Sequence, residues 1–230
     1  MPKATAASRI LLKLLTGDRF KQRLWLHTKP LLIKGAPALL TDLKADVYST
    51  TERTLAVEEL LLSNIASMEA SMTLQGDEEE QDPTVYLWLL YFTAQHFYYR
   101  RDFERALRFI DQAIEHTPTV VDLYVLKAKI FKRAGDARRA STLYEEARRL
   151  DLADRYLNAV SSRYLLRVDQ IEKAEETMAL FSREQGEERG LNVHDMQCMW
   201  FEVESGLAHL RLGNLRMALK NFNFIERHFD

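Results

Sequence analysis

The stretch HDMQCMWFE, residues 194–202, contains the only cysteine of the chain. Cys198, together with His194 and Asp195 just before it, has the residue types of a nucleophile with its base, or of half a metal site. On one continuous helix His194 and Cys198 would share a face at i, i+4, so a metal pair is geometrically allowed. Zinc needs three or four ligands, however, and no second Cys or His pair follows at a supporting spacing. Packing is therefore favoured for Cys198 over metal binding and over catalysis.

The same helix would be apolar on two nearly opposite faces, as expected for a helix between two neighbours. One face would hold Met196, Trp200, Val203, Leu207 and Leu210. The other would hold His194, Cys198, Phe201, Ser205 and Leu212. This pattern is typical of the inner helix of a repeat stack, and it agrees with a packing role for Cys198.

Other common active-site patterns are missing from the sequence. There is no GxGxxG, no P-loop and no G-x-S-x-G, and the carboxylates Glu78–Glu80 are typical of a solvated loop. The remaining histidines are scattered: His27, His96, His116, His209 and His228. We therefore expect no catalytic residue, no metal site and no enzyme activity in this chain.

Composition favours a mainly helical protein. Apolar residues make up 47% of the chain, whereas 8 glycines and 5 prolines are too few for many short strands and turns. The formal charge of −2 argues against general binding to nucleic acid, and a single cysteine fits a reducing compartment. The longest apolar run, residues 85–94, is too short to span a bilayer, and no signal peptide is recognised. We expect a soluble, cytoplasmic protein with no membrane partner.

Three alanines recur at a fixed interval. Ala106, Ala140 and Ala174 lie 34 residues apart, which is the period of the tetratricopeptide repeat, a pair of antiparallel helices. A small residue at this point of the second helix lets two helices approach closely. Gly135 and Gly213 stand in the short turns, where they can adopt the positive φ that ends a helix.

We therefore predict an all-α fold, a superhelix (α-solenoid) of tetratricopeptide-like helical repeats. It is expected to form a single helical-repeat domain over 1–230. Recognisable units cover about 84–229, and more divergent helical repeats cover 9–73.

Two details of the boundaries are less regular. The unit that contains Ala218 arrives ten residues late in the 34-residue register, so GEERGLNVHD, residues 186–195, is expected to be an inserted loop. In the N-terminal part, Pro30 and Pro37 are expected to bound the helices around them.

The first helix of each tetratricopeptide unit lines the groove of the superhelix. In the unit that starts at Leu87 the groove positions hold Trp88, Tyr91, Gln95, Tyr98 and Tyr99, and in the last unit they include Trp200. An open apolar groove is unfavourable in water, so Trp88, Tyr91, Tyr98 and Trp200 are candidate partner-binding residues. The alternative is that the superhelix closes on itself and buries them.

The groove positions of the following two units are basic: Lys129, Lys132, Arg133, Arg163 and Arg167. The first three lie within one helical turn and the last two are i, i+4, so all five are expected to converge on one wall. Gathered cations favour a polyanionic ligand or an acidic partner surface. The alternatives are that Glu145, Glu146 or the acidic loop at Glu78–Glu80 neutralises them, or that they lie in solvent.

Several segments resemble a known family in their residues as well as their repeats: VLKAKIFKRAG (125–135), LDLADRYLN (150–158), MQCMWFEVESGLAHLRLGNLRMALKNFNFIERHF (196–229), LLTGDRFKQRL and KGAPALLTDLK. They resemble the auxiliary, ribosome-anchoring subunit of the N-terminal acetyltransferase A complex. The resemblance runs from about Ser8 to the last residues and corresponds to a middle stretch of that longer protein.

The resemblance implies a non-catalytic scaffold for a separate catalytic acetyltransferase subunit. That subunit, and not the scaffold, binds acetyl-CoA and acetylates nascent N-termini after methionine removal. Complexes of this family hold inositol hexakisphosphate between the two subunits, which fits the basic positions above. The alternative function is a generic tetratricopeptide adaptor of the co-chaperone kind. Such an adaptor would need Lys and Asn at groove positions where the unit at Leu87 has aromatics.

Overall fold

The structure, a computed structural model, describes residues 5–181 and 191–229, and this part of the chain is built from helices. The helices are α1 (Thr5–Leu14), α2 (Gly17–Ile33), α3 (Leu39–Val47), α4 (Thr51–Ser71), α5 (Pro83–Tyr99), α6 (Phe103–His116), α7 (Val121–Ala134), α8 (Ala137–Leu150), α9 (Arg155–Arg167), α10 (Ile171–Ala179), α11 (Leu191–Asp195), α12 (Met199–Arg211) and α13 (Leu215–Arg227). The all-α prediction is confirmed.

The alanines at the 34-residue interval lie at the same point near the start of successive second helices. Ala106 in α6, Ala140 in α8 and Ala174 in α10 have no exposed surface, and Ala218 in α13 is 2% exposed. Because the helices of a hairpin approach closely there, a larger side chain would force them apart. The predicted role of these small residues is confirmed.

The turns between paired helices repeat with the same register. Arg101, Gly135, Asp169 and Gly213 each adopt a left-handed backbone, with φ of 62°, 92°, 63° and 78°. This confirms the positive φ predicted for the two glycines. Arg101 and Asp169 hold the same conformation at an energetic cost, because a Cβ crowds the backbone there.

The aspartate that follows each of the turn residues Arg101 and Gly135 caps the next helix. The Asp102 carboxylate accepts a hydrogen bond from the backbone N–H of Arg105 at 3.1 Å, and Asp136 does the same for Arg139 at 2.9 Å. These bonds satisfy backbone donors that have no partner within the helix. The polar turn residues therefore set where α6 and α8 begin.

The chain forms two compact units, Met1–Leu123 and Tyr124–Asp230. In the first unit α5 is the central helix and packs against α6, α4, α2 and α3. In the second unit α9 packs against α8, α10 and α12, and α12 pairs with α13. The boundary between the two units falls inside α7.

Two expectations about boundaries hold only in part, although Pro37 lies between α2 and α3 as expected. Pro30 does not end a helix but lies inside α2, on an exposed side where the carbonyl left unpaired by the missing N–H can meet water. The predicted inserted loop contains the short helix α11, because Val193 is buried in an apolar cluster and anchors that segment. The first part of that loop, residues 186–190, lies outside the described residues.

Candidate partner-binding and anion-binding surfaces

The aromatic side chains of α5 differ in how far the chain itself covers them. Tyr91 is 6% exposed, whereas Trp88 and Tyr98 are only partly buried. The Trp88 indole packs edge-on against Tyr91, with ring centroids 5.5 Å apart, and stacks on Phe92 at 6.1 Å. Tyr91 is therefore part of the core of its unit, while Trp88 and Tyr98 keep the partial exposure that contact with a partner requires.

Gly35, in the turn after α2, fixes the position of Trp88. Its φ is +65°, and a Cβ placed there would overlap the indole ring of Trp88. Only glycine combines this backbone with such a close approach. Gly35 was not singled out from the sequence, because the contact joins residues that are far apart in the chain.

A buried polar network lies next to the aromatic residues of α5. His96 is 0% exposed; its Nδ1 accepts a hydrogen bond from the Tyr48 hydroxyl at 2.9 Å, and its Nε2 lies 3.4 Å from Glu58. Burial lowers the pKa of His96 to about 4, although Glu58 opposes the shift. The imidazole is therefore neutral at pH 7, with its proton on the nitrogen that faces Glu58.

The charge of Glu58 is balanced by arginines rather than by His96. Arg105 Nη1 donates to Glu58 at 2.9 Å, and Arg100 forms a second ion pair with it. Burial alone would raise the pKa of Glu58, but hydrogen bonds from His96 and the two guanidinium groups lower it on balance. The network ties α3, α4, α5 and α6 together with its polar groups paired.

In the second unit, three of the five predicted basic residues lie next to aromatic rings. The Lys132 Nζ is 5.9 Å and the Arg167 Cζ 5.1 Å from the centroid of the Tyr164 ring. The Arg163 Cζ lies 4.5 Å from the centroid of the Trp200 ring. Cations stack on aromatic faces because the ring quadrupole is negative there. We call Lys132, Arg163, Arg167 and the two rings the basic–aromatic patch.

The patch is partly neutralised by Glu204, which was not among the carboxylates that the sequence suggested. Arg167 Nε donates to Glu204 at 2.9 Å. Glu145 is instead held by Arg148 at 2.8 Å and by the Ser161 hydroxyl at 2.9 Å. The hydrogen bond from Arg148 is the main reason why the pKa of Glu145 is lowered to about 2.

Two cations of the patch remain without a carboxylate. In the part of the chain that the structure describes, no Asp or Glu lies within ion-pair distance of Lys132 or Arg163. The Arg163 Nε is buried and has no hydrogen-bond partner among these residues. Lys129 and Arg133 lie one turn apart on α7 and make interactions of their own.

Tyr164, which belongs to the patch, and Glu204, which pairs with Arg167, were not predicted from the sequence. Tyr164 precedes Arg167 by one helical turn, so i, i+3 spacing could have indicated it. Glu204 has no such signal, because its partner Arg167 is 37 residues away. Trp200, predicted as a partner-binding residue, is partly buried and packs edge-on against Phe201, with ring centroids 5.6 Å apart.

Cys198 is not on a helix with His194. The segment breaks at Gln197, whose φ is 53°, so α11 ends at Asp195 and α12 begins at Met199 with Cys198 as its N-cap. The continuous helix assumed for 194–212, and its two faces, were therefore wrong. Cys198 packs against the apolar cluster that contains Leu165 and Phe201, and this burial raises the pKa of its thiol. A protonated, packed thiol is a poor nucleophile.

His194 contacts Glu202 and not Cys198. Its Nδ1 lies 2.6 Å from Glu202, and its ring stacks on Phe224 with centroids 3.7 Å apart. Glu202 is 0% exposed and also contacts the His228 Nε2 at 2.9 Å. The cluster joins α11, α12 and the end of α13, so it holds the last hairpin together.

No metal site or membrane segment emerges from the described residues. Among 5–181 and 191–229, no three His, Cys, Asp or Glu side chains are placed to hold a metal ion. No helix in this same part of the chain is long and apolar enough to cross a membrane.

The stacked hairpins define a helical-repeat protein of the tetratricopeptide type, a class that presents extended surfaces to other proteins. The sequence model described as "N-terminal acetyltransferase A, auxiliary subunit" matches residues 1–230. The chain therefore belongs to the family of auxiliary subunits of N-terminal acetyltransferase A.

Relatives agree with this assignment. The chain is 40% identical over 227 residues to the auxiliary subunit NAA15 of the N-terminal acetyltransferase A complex of Arabidopsis thaliana. It is 39% identical over 230 residues to the human N-alpha-acetyltransferase 16, NatA auxiliary subunit. In both cases 99% of this chain is covered, but it spans only 25% and 26% of the relative.

A solved structure shares the fold over the whole chain. A chain of the structure described as Naa15/Naa10 bound to HypK-THB matches with a TM-score of 0.87 and 34% identity. The match covers 100% of this chain and 34% of the other. The tetratricopeptide-like, all-α class predicted from the sequence is thus confirmed by the helices and by this likeness.

Proposed function

We propose that this chain is a non-catalytic scaffold that binds and shapes the catalytic subunit of an N-terminal acetyltransferase. The observation that carries the proposal is the likeness over 100% of the chain to a protein solved together with Naa10. In this role the partner binds acetyl-CoA and acetylates nascent chains in the cytoplasm, at the ribosome. The scaffold itself transfers no acetyl group.

Co-expression with a catalytic subunit of the Naa10 type tests this proposal. We expect the two chains to co-purify through size exclusion as a one-to-one complex that acetylates an N-terminal peptide. The scaffold alone should show no transfer, and Cys198→Ala should leave the activity of the complex unchanged. Robust acetyl transfer by the purified scaffold, or two chains that elute separately, would contradict the proposal.

Within this role, we assign partner contact to the exposed edges of Trp88, Tyr98 and Trp200. Aromatic side chains that are partly exposed but held in place contribute strongly to protein interfaces, because little side-chain freedom is lost on binding. Tyr91, which is buried, supports Trp88 from beneath. The four residues predicted from the sequence therefore act in two different ways.

The double variant Trp88→Ala with Tyr98→Ala tests the contact in the first unit. We expect the affinity for the catalytic subunit to fall by about 2 kcal/mol or more if these are hot spots. Tyr156→Ala is the matched control, because Tyr156 is 57% exposed and belongs to neither surface. Both variants must keep the helical signal of the parent chain. If a folded double variant binds with unchanged affinity, Trp88 and Tyr98 of α5 do not contribute to the interface.

We also propose that the basic–aromatic patch binds a polyanion, with inositol hexakisphosphate as the candidate. Lys132 and Arg163 supply cations without a carboxylate partner, and the unpaired Arg163 Nε supplies a buried donor. Arg167 can exchange Glu204 for a phosphate, which accepts two parallel hydrogen bonds from a guanidinium. Lys129 and Arg133 on the neighbouring α7 extend the positive charge.

Calorimetry with inositol hexakisphosphate, on the scaffold alone and in complex, tests the patch. Lys132→Gln with Arg163→Gln should weaken binding by about tenfold or more, since two charge-assisted contacts are lost. Arg138→Gln with Arg139→Gln removes the same charge from α8 and is the control. Binding should also weaken steeply with salt. Equal binding by both double variants would leave the patch as a solvated face.

A further inference from the structure

The second unit contains a polar cleft of about 380 Å³. Polar side chains of α8 line one side of it, and the end of α9 and the start of α10 line the other. This volume falls in the range of small-molecule sites, about 300–1,000 Å³. The cleft shares no residue with the basic–aromatic patch, so a ligand here would be separate from the polyanion proposed above.

The buried carboxylate of the cleft is neutralised by residues that do not line it. Glu145 accepts two hydrogen bonds from Arg148 and one from the Ser161 hydroxyl. Arg149, which does line the cleft, adds a longer contact to Glu145 at 3.3 Å, and its side chain is 67% exposed. Arg149 is therefore able to turn to a ligand without leaving Glu145 unpaired.

The cations of the cleft outnumber the carboxylates that remain to balance them. These cations are Arg138, Arg149 and Lys173. Since Glu145 is held by Arg148, the carboxylate left among the lining residues is the exposed Glu146. In the ranges that the structure describes, no carboxylate lies within ion-pair distance of Arg138 or Lys173. Such a surplus of cations favours an anion with several acceptor oxygens.

A buried hydroxyl in the cleft is left without a partner by the described residues. Ser141 lines the cleft and is 4% exposed, yet its hydroxyl forms no hydrogen bond with them. The hydroxyl of the neighbouring Thr142, by contrast, donates to the backbone oxygen of Arg138 at 3.2 Å. A buried polar group without a partner is unfavourable, so Ser141 indicates that a hydrogen-bonding ligand occupies the cleft.

The start of α10 adds backbone donors at the same place. Gln170 lines the cleft and is the N-cap of α10, but its side chain forms no capping hydrogen bond. Asp102, Asp136 and Asp154 do accept such bonds at the starts of α6, α8 and α9. The first backbone N–H groups of α10 are therefore not capped by a side chain, and they carry the positive end of the helix dipole.

We infer that this cleft binds a phosphoryl group, carried by a small organic molecule or by a phosphorylated side chain. A phosphate monoester has a charge of about −1.5 to −2 at pH 7, which matches Lys173 and Arg149. Its three terminal oxygens accept hydrogen bonds from the Ser141 hydroxyl and from the first turn of α10. A carboxylate offers one charge and two oxygens, fewer than the donors gathered here. The inference does not depend on the proposed role with an acetyltransferase.

An NMR titration of the full chain at low salt tests the site and identifies the carrier. The probes are inorganic phosphate, glycerol phosphate and a short peptide that contains phosphoserine. We expect saturable shifts of the backbone amides of Ser141, Ile171 and Lys173, and none with glycerol or the unphosphorylated peptide. The organic probe that binds more tightly identifies the carrier as a small molecule or a protein segment. No saturable shift with any probe up to about 20 mM would overturn the inference, since a Kd of about 1 mM would saturate there.

Three variants test whether the cleft residues bind the phosphoryl group. Lys173→Gln with Ser141→Ala should weaken binding about tenfold, because one charged and one neutral donor are lost. Glu146→Gln should strengthen binding by about two- to threefold, because it removes a carboxylate that repels the anion. Arg139→Gln is the matched control, since Arg139 is a cation of α8 that pairs with Asp136 and does not line the cleft. Equal affinity in the double variant and the control, or weaker binding by Glu146→Gln, would overturn the inference.

Discussion

The two units present aromatic side chains in opposite ways. On α5 the chain itself holds the rings: one face of Trp88 packs on Gly35, and Tyr91 beside it is 6% exposed. On α12 the partly buried Trp200 is instead covered by a cation, because the Arg163 Cζ lies 4.5 Å from its ring centroid. Rings sealed by backbone form a fixed surface. A long basic side chain, by contrast, can move off a ring and bind an anion without any movement of the helices.

The largest expected effect is on the fixed surface. Gly35→Ala adds a Cβ that overlaps the Trp88 indole, at a backbone φ that alanine also disfavours. We expect a loss of about 3 kcal/mol or more in the free energy of unfolding, measured with urea. Gly76→Ala is the control, because its φ is +83° but nothing lies near the added Cβ. A similar loss in both variants would show that Trp88 is not locked by Gly35.

The buried network beside α5 should make stability depend on pH. His96 has a pKa of about 4 when folded and an ordinary value near 6.5 when unfolded, so acid favours the unfolded chain. We expect the free energy of unfolding to fall by up to about 3 kcal/mol between pH 7 and pH 4 from this group. His96→Gln should reduce the slope in urea titrations over that range. An identical slope in the variant would contradict a neutral, buried His96.

The repeat pattern made most of the second helices predictable, whereas the packing between distant segments was not. Ala106, Ala140 and Ala174 are buried as their spacing indicated, because hairpin packing depends on small residues at fixed positions. Pairs such as Gly35 with Trp88, or Arg167 with Glu204, involve no local periodicity. Sequence patterns report the period of an element and not its distant partners.

The candidate site, too, was predictable from the sequence only in part. The sequence indicated Trp88, Tyr98 and the basic residues from groove positions alone, but could not distinguish a buried Tyr91 from an exposed one. The helix break at Gln197 was also hidden, because a non-glycine residue with positive φ gives no compositional signal. That break removed the shared helix face assumed for His194 and Cys198.

A smaller effect is expected where a cation covers a ring. Arg163→Lys keeps the charge but loses the planar stacking on Trp200, so the unfolding free energy should fall by about 1 kcal/mol. The fluorescence of the chain should shift as the indole is uncovered. Arg138→Lys is the matched control on α8. If neither the unfolding free energy nor the fluorescence changes, the stacking of Arg163 on Trp200 at 4.5 Å does not contribute to stability.

The smallest expected effect is an increase in stability. Arg101 is exposed and holds a left-handed turn with φ of 62°, where the equivalent residues 135 and 213 are glycines. Arg101→Gly should therefore stabilise the chain by about 0.5–1 kcal/mol in thermal or urea unfolding. Asp169→Gly should gain less, because Asp169 also pairs with Arg211 at 2.8 Å. A larger gain in stability for Asp169→Gly than for Arg101→Gly would argue against turn strain as the cause.

Hydrogen–deuterium exchange on the scaffold, with and without a catalytic subunit of the Naa10 type, tests the central claim most directly. We predict slower exchange in α5 near Trp88 and in α9 and α12 around the basic–aromatic patch when the subunit is added. Protection confined to segments outside α5, α9 and α12, or no protection at a saturating concentration, would contradict the claim that these surfaces bind the enzyme.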